Sequence, residues 1–306
     1  MQTGAENRTL AALGAILGYA VLIGFVDNFV QVIAAEAGLW QFHFLRSCIA
    51  VVLFALAMVP LGLRLRPVSL KAVVARSLAH GGALIIYFGC LAFLTVAQAA
   101  AGLFTAPIWV MLIGRLVYGH VLGPARMAAV AVGFVGVMLV LTPGADEPLG
   151  WASVLPVAAG MLYALGNIAT REWCARETAE TLTLGFFLAL GLAGLAGLLV
   201  LAIFPQAPAG GAEGFILRGW VTPSPMFWLW TTVQAAGSML GVGLMVRAYQ
   251  LAEASRVSIL EYAVLPVSAL WGWMLWGQGI TSLGVLGMAM ILAAGALIAR
   301  RAQARA

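Results

Sequence analysis

The apolar residues of this chain fall into ten runs, each near the length that a bilayer-spanning helix requires, about 20 residues. They lie near residues 10–33, 39–59, 72–93, 97–118, 125–141, 152–170, 181–204, 226–248, 255–276 and 282–299. Backbone in lipid must satisfy its own N–H and C=O groups, and a helix does so within one segment. The expected fold is therefore an all-α integral membrane protein with ten transmembrane helices. Of 306 residues, 63% are hydrophobic and 9% charged, against about 25% charged in soluble domains. That excludes a soluble enzyme, a disordered chain and a nucleic-acid module, despite a formal charge of +5.

Two divisions need argument. Only residues 94–96 separate the third and fourth runs, but one helix over 72–118 would be about twice what a bilayer needs. The first run also resembles a signal peptide, with Ala35-Glu36-Ala37 as a cleavage site. Its apolar stretch is longer than the 7–15 residues typical of such segments, and Asp27 lies inside it.

The basic residues give a direction. With the N-terminus cytoplasmic, that side holds Arg8, Arg64, Arg66, Lys71, Arg76, Arg115, Arg126, Arg171, Arg176, Arg247, Arg256, Arg300, Arg301 and Arg305. The other side holds Arg218, with Arg46 one or two turns inside the second span. The positive-inside bias places both termini in the cytoplasm. Trp40, Trp151, Trp220, Trp228, Trp230 and Trp276 gather at the opposite ends, as interfacial anchors do. The longest connection, 206–225, is rich in Gly and Pro and is expected along that outer interface.

The chain also repeats itself. Pro107 and Gly136 in the fourth and fifth spans are matched, at the same spacing, by Pro266 and Gly295 in the ninth and tenth. The halves, 1–145 and 146–306, each hold five spans. An odd number makes the second half enter from the opposite side, so the repeats are inverted, as in many secondary transporters.

Residues 97–141 (AQAAAGLFTAPIWVMLIGRLVYGHVLGPARMAAVAVGFVGVMLVL) resemble the second part of an EamA repeat, and 254–298 (ASRVSILEYAVLPVSALWGWMLWGQGITSLGVLGMAMILAAGALI) resemble its counterpart. Over nearly its whole length the chain is similar to the drug/metabolite transporter superfamily, and within it to the YddG-type amino-acid exporters. The shared features are diffuse: small residues, a mid-helix proline, glycines in the last helix. Many members carry an acidic residue soon after the proline helix, where this chain has Arg115–His120 and Trp276–Ile280. The resemblance implies export of small amphipathic metabolites, amino acids first and aromatic or apolar ones favoured, across a bacterial inner membrane by alternating access. A carrier of another metabolite or drug is the alternative, and a membrane-embedded lipid-acting enzyme or scaffold a more distant one.

Enzymatic motifs are missing. Lys71 is the only lysine and belongs to no Walker A loop, and neither G-x-S-x-G nor H-E-x-x-H occurs. Energy must come from a gradient, and no cofactor is expected. Cys48, Cys90 and Cys174 are too far apart for a disulfide or metal framework, and His43, His80 and His120 too scattered for a metal site.

Ionisable groups inside spans are costly and so mark function. Asp27 and Arg46 flank the first turn at similar depth, where a hairpin would pair them as a structural salt bridge; contact with substrate is the other reading. Glu261 lies five residues before Pro266, which frees the Tyr262 carbonyl. A carboxylate there suits reversible protonation. With His80 at similar depth it forms a candidate gate or proton-linked site, alongside Pro107 and Pro266; pairing of Glu261 with Arg256 or Arg76 is the alternative.

Polar and aromatic stripes at helical spacing mark a cavity wall. They are Tyr19; His80, Leu84, Tyr87 and Leu91; Gly102, Thr105 and Trp109; Tyr163, Asn167 and Thr170; and Gln234, Ser238, Gly241 and Met245. The resemblance implies that helices one, three, four, six, eight and nine surround the substrate, and the stripes fall on these. Helix-to-helix hydrogen bonding explains each residue singly as well. Gly14/Gly18, Gly237/Gly241 and Gly191/Gly194/Gly197 are close-packing surfaces, with dimer contact as the alternative to a monomer.

Overall fold

A computed structural model describes residues 2–63, 65–90, 96–121, 123–141, 154–207 and 214–303. Among the described residues all regular structure is helical. The helices are α1 (Gln2–Val26), α2 (Val30–Glu36), α3 (Leu39–Met58), α4 (Leu70–Cys90), α5 (Val96–Leu103), α6 (Ala106–Leu116) and α7 (Pro124–Leu141). They continue as α8 (Val154–Glu172), α9 (Ala179–Ile203), α10 (Gly214–Leu217), α11 (Pro225–Leu251), α12 (Ala254–Leu260), α13 (Val264–Trp276) and α14 (Ser282–Gln303). Six segments among them are long and apolar enough to cross a membrane: Leu10–Glu36, Leu39–Met58, Leu70–Cys90, Ala179–Ile203, Pro225–Leu251 and Ala254–Trp276. Ala106–Leu116, Pro124–Val140 and Ser282–Ile298 are shorter apolar helices. The expected break at 94–96, the boundary between 145 and 146, Trp151, Arg64 and Arg305 lie wholly or partly outside the described residues, as do the side chains of Arg8, Leu91, Arg300 and Arg301.

Polarity is turned inside out relative to a soluble protein. Arg46, Arg76, His43, His80, Gln41, Asn167, Gln234 and Glu261 are buried. Val52, Leu56, Leu192, Leu199, Leu286 and Leu292 are exposed. Such a surface is stable against hydrocarbon, where polar side chains turn inward.

Four pairings dominate: α7 with α14, α1 with α11, α3 with α9, and α4 with α8. Next, α1 packs on α13 and α8 on both α5 and α6; α9 meets α4 and α11 meets α3. Small residues let these backbones touch. A Cβ on Gly136 would sit 2.7 Å from Gly287 O, and one on Gly194 2.6 Å from Phe44 N. Gly18 and Gly241 face Leu244 and Ile23 across the α1–α11 interface. Gly18, Gly237, Gly241 and the Gly191/Gly194/Gly197 ridge therefore pack helices within the chain, whereas Gly14 faces open space.

Among the described residues, two of these long segments and the α5–α6 pair are interrupted. A 3-10 turn at Asp27–Phe29 joins α1 to α2, where Asn28 Nδ2 takes Gly24 O at 2.6 Å and reaches Ser268 O at 3.3 Å. The side chain thus competes with the helix for its own carbonyl. A second 3-10 turn, Glu261–Ala263, joins α12 to α13 just before Pro266. The third break, at Phe104–Thr105, sits just before Pro107. Each proline lacks the N–H that would continue the preceding turn. Tyr262 binds the two proline breaks together, its hydroxyl donating to Phe104 O at 3.1 Å.

At one end of the bundle the segment after α9 packs across the α2–α3 turn. Glu36 accepts from Ser224 N and Oγ, Trp40 Nε1 donates to Ile216 O, and Arg218 donates to Ala34 O. Phe215 is buried there, so this stretch covers the helix ends as well as lying at their edge.

Candidate functional site

The interior holds two polar clusters at different levels. In the first, Glu261 is the hub, 5% exposed. Its Oε1 accepts from the Tyr163 hydroxyl at 3.0 Å, and its Oε2 from the Tyr249 hydroxyl at 2.6 Å and Asn167 Nδ2 at 3.4 Å. Asn167 Nδ2 also reaches Tyr249 at 2.8 Å. Tyr19 meets Tyr163, hydroxyl to hydroxyl, at 3.2 Å. His80 packs against the Tyr163 ring with centroids 4.3 Å apart. Residues from α1, α4, α8 and α11 thus converge on the carboxylate at the α12–α13 break. The broken helix places Glu261 there: its turn points the carboxylate at α8 and α11, and the Tyr and Asn donors replace the water it would hold outside.

Arg76 lies beside this cluster, fully buried. Its Nε donates to Thr170 Oγ1 at 3.0 Å and its Nη1 to Leu182 O at 3.1 Å. It does not reach Glu261. Arg256 is also elsewhere, 3.4 Å from Glu253. Glu261 therefore takes neutral partners instead of either arginine.

The second cluster contains Asp27 and Arg46, but they do not touch. Gln234 stands between them, Oε1 accepting from Arg46 Nη1 at 3.2 Å and Nε2 donating to Asp27 Oδ1 at 3.4 Å. The direct salt bridge expected from their symmetric placement is a relay, because α11 packs between α1 and α3. Phe42 and Phe187 flank the guanidinium, with ring centroids 5.2 and 5.3 Å away. Such faces attract a cation.

Other expected residues are held by contacts within and between helices. Thr105 Oγ1 donates to Gly102 O at 2.6 Å and accepts from Trp109 Nε1 at 3.2 Å, closing the α5–α6 break. Gly102 lies against Pro156 of α8, where a Cβ would meet backbone. Leu84 and Tyr87 pack in the apolar core near Phe42 and Phe88. Ser238 is buried one turn beyond Gln234. Pro107 and Pro266 mark the two breaks.

Sequence reading missed Tyr249, which lies one turn past Met245 and extends the stripe from Gln234. It missed His43 as a buried neighbour of Arg46. Arg76 entered as a cytoplasmic-side basic residue and as a possible partner of Glu261, not as a buried member of the site.

A cleft of about 470 Å³ opens at the end of the bundle that carries His120, Arg126, Arg171, Glu172, Glu253 and Arg256. Arg126 pairs with Glu253 at 2.5 Å, and His120 lies 3.6 Å from Glu172. Among the described residues, no group of His, Cys, Asp or Glu is arranged to hold a metal ion.

No protein-family model matches the chain. It is 32% identical over 216 residues to a riboflavin transporter of Rhizobium johnstonii, covering 70% of this chain and 65% of that protein. A second riboflavin transporter, from Vibrio cholerae, is matched over 54% of its length. The chain thus spans somewhat less than two thirds of these relatives. An uncharacterized transporter of Helicobacter pylori is 25% identical across 96% of both chains. A pseudopaline exporter of Pseudomonas aeruginosa is 23% identical across 90% of this chain and 92% of that one. One crystal structure matches at a TM-score of 0.72 and 19% identity, covering 95% of this chain and 98% of that one, so the fold is shared. The chain is a multi-pass membrane protein similar to membrane transporters along most of its length.

Proposed function

We propose that this chain is a ten-span secondary transporter of the drug/metabolite transporter type, built as two inverted EamA-like repeats over 1–145 and 146–306. It exports small amphipathic solutes by alternating access. Support comes from the helix pairings. Number the spans one to ten, with α1–α2 as the first, α5–α6 as the fourth and α12–α13 as the ninth. Exchanging each span with the one five further on turns α1–α11 into α8–α4, and α4–α9 into α11–α3. It leaves α3–α9 and α7–α14 unchanged. The proline breaks at Phe104–Thr105 and Glu261–Ala263 exchange as well.

The observation that carries the functional reading is the Glu261 cluster, where five spans bring a carboxylate, three tyrosines, an asparagine and a histidine together out of water. Tyr19, His80, Tyr163, Asn167 and Glu261 bind the polar head of the solute there, with Leu84, Tyr87, Gly102, Thr105, Trp109, Gln234 and Ser238 along its route. Glu261 and His80, beside the breaks at Pro107 and Pro266, form the gate or coupling element, and Asp27 and Arg46 a structural pair joined through Gln234. The arginine distribution supports cytoplasmic termini, and the 470 Å³ cleft, lined by Arg126, Arg171 and Arg256, would then open on that side.

Amino acids with apolar or aromatic side chains are the leading substrates. Riboflavin is a second reading, favoured by the Rhizobium relative. Counterflow in proteoliposomes with labelled phenylalanine, leucine and riboflavin decides between them. Zero flux across a broad panel of metabolites overturns the transport reading.

A further inference from the structure

Arg76 is the buried charge that the site above leaves unexplained. It is 0% exposed, and both its hydrogen-bond partners are neutral. Its Nη2 has no partner. Burying a guanidinium without a counter-charge costs several kcal/mol, and arginine does not escape by losing its proton. Glu261, the carboxyl that can carry the opposite charge, is likewise held only by neutral donors.

The two charges are fixed to the same helix. Arg76 bonds Thr170 and Glu261 bonds Asn167, three residues apart on α8, about 4.5 Å of rise. Neighbouring side chains of α8 thus bond each charge separately, and no ion pair joins the two. His80, one turn along α4 from Arg76, packs on Tyr163, which holds Glu261. On the Glu261 side, Asn167 Oδ1 is a buried acceptor without a donor. A carboxylate has about four lone-pair sites, and Glu261 uses three.

We infer that Arg76 and Glu261 are the two poles of a receptor for a zwitterionic head group. The carboxylate of an α-amino acid goes to Arg76 Nη2, and its ammonium to Asn167 Oδ1 and Glu261. The open donor lies on the cationic pole and the open acceptors on the anionic one, so a ligand carrying both charges satisfies all of them. A ligand with one charge leaves the other pole as it stands, buried and incompletely paired. These atoms are sealed from solvent, so loading requires the helices around α8 to part. The inference rests on the transporter reading and assigns the residues that take each charge of the substrate's head group.

The test uses the intact chain in lipid nanodiscs and measures its thermal unfolding midpoint. The probes are alanine, leucine and phenylalanine, each beside its deaminated acid and its decarboxylated amine at equal ionic strength. At least one amino acid is expected to raise the midpoint, while the acid and the amine of the same side chain leave it unchanged. Arg76→Gln and Glu261→Gln are each expected to raise the half-maximal amino-acid concentration roughly 10- to 100-fold, the worth of a charged hydrogen bond. No shift from any amino acid, or equal shifts from the acid or amine alone, overturns the inference on the unmutated chain, even where a variant fails to fold. Variants that elute like the parent and respond like it overturn it too. Riboflavin flux without any response to zwitterions sinks the receptor and leaves transport standing. Zwitterion binding without flux of any solute does the reverse.

Discussion

The Tyr163 hydroxyl donates to Glu261 Oε1 across 3.0 Å and so ties α8 to the break between α12 and α13. Removing a donor from a buried carboxylate costs about 1–3 kcal/mol. Tyr163→Phe is expected to destabilise the chain by about that much, and Tyr19→Phe by less, since its contact is the longer at 3.2 Å. In a Glu261→Gln background the cost of Tyr163→Phe should shrink by at least about 0.5 kcal/mol, the coupling expected of residues in contact. Thermal unfolding of the four proteins measures this. Strict additivity sinks the idea that the bond carries stability.

Gln234 makes a related prediction at the other cluster. It is the bridge between Asp27 and Arg46. Removing one partner from a buried charge network typically costs about 3–5 kcal/mol. Asp27→Asn leaves Arg46 flanked only by Gln234 and two aromatic rings, and should lower expression and thermal stability. Adding Arg46→Gln should recover part of the loss. Gln234→Leu breaks both hydrogen bonds at once and should be at least as harmful as Asp27→Asn. A Gln234→Leu protein as stable as its parent shows that the relay is idle.

The six long apolar segments and the two proline breaks were legible because they depend on local chemistry. Apolar run length sets where a helix crosses lipid, and Pro107 and Pro266 each remove a backbone donor wherever they sit. Most of the Glu261 cluster was legible for a similar reason, since Tyr163 and Asn167 share a face at helical spacing. Partners across helices were not. Asp27 and Arg46 looked like neighbours because the hairpin places them at equal depth. Which helix comes between them depends on how α1, α3 and α11 pack, and no spacing in the chain records that. Arg76 was hidden similarly: its partner, Leu182 O, is a backbone atom 106 residues away.

The crossing of α7 and α14 gives a prediction about packing. Cβ atoms at Gly136 and Gly287 would lie 2.7 and 2.5 Å from the opposite glycine's carbonyl oxygen. Backbone cannot yield as a side chain does, so Gly136→Ala and Gly287→Ala should each destabilise by roughly 1–3 kcal/mol, as overpacking does. Gly14 is also helical, but nothing lies within 4 Å of a Cβ there. Gly14→Ala should be neutral or stabilising by up to about 1 kcal/mol, the gain in helix propensity. Melting curves of the three variants check both directions, and a harmful Gly14→Ala contradicts the account.

Cys174, in the turn between α8 and α9, predicts a pH dependence. Burial pushes its thiol up to about 11, with the Arg76 guanidinium pulling it down and Glu177 pushing it up. The thiolate is the reactive form. At pH 7.5 roughly one thiol in three thousand is then ionised, against about one in ten for an unperturbed cysteine. In a chain with Cys48 and Cys90 replaced by Ala, maleimide labelling at pH 7.5 should be much slower than after unfolding in detergent. The rate should rise about tenfold for each pH unit below 11. Arg76→Gln removes the one influence that favours the thiolate, so it should slow labelling further. Labelling at neutral pH as fast as in the unfolded chain contradicts the burial of Cys174.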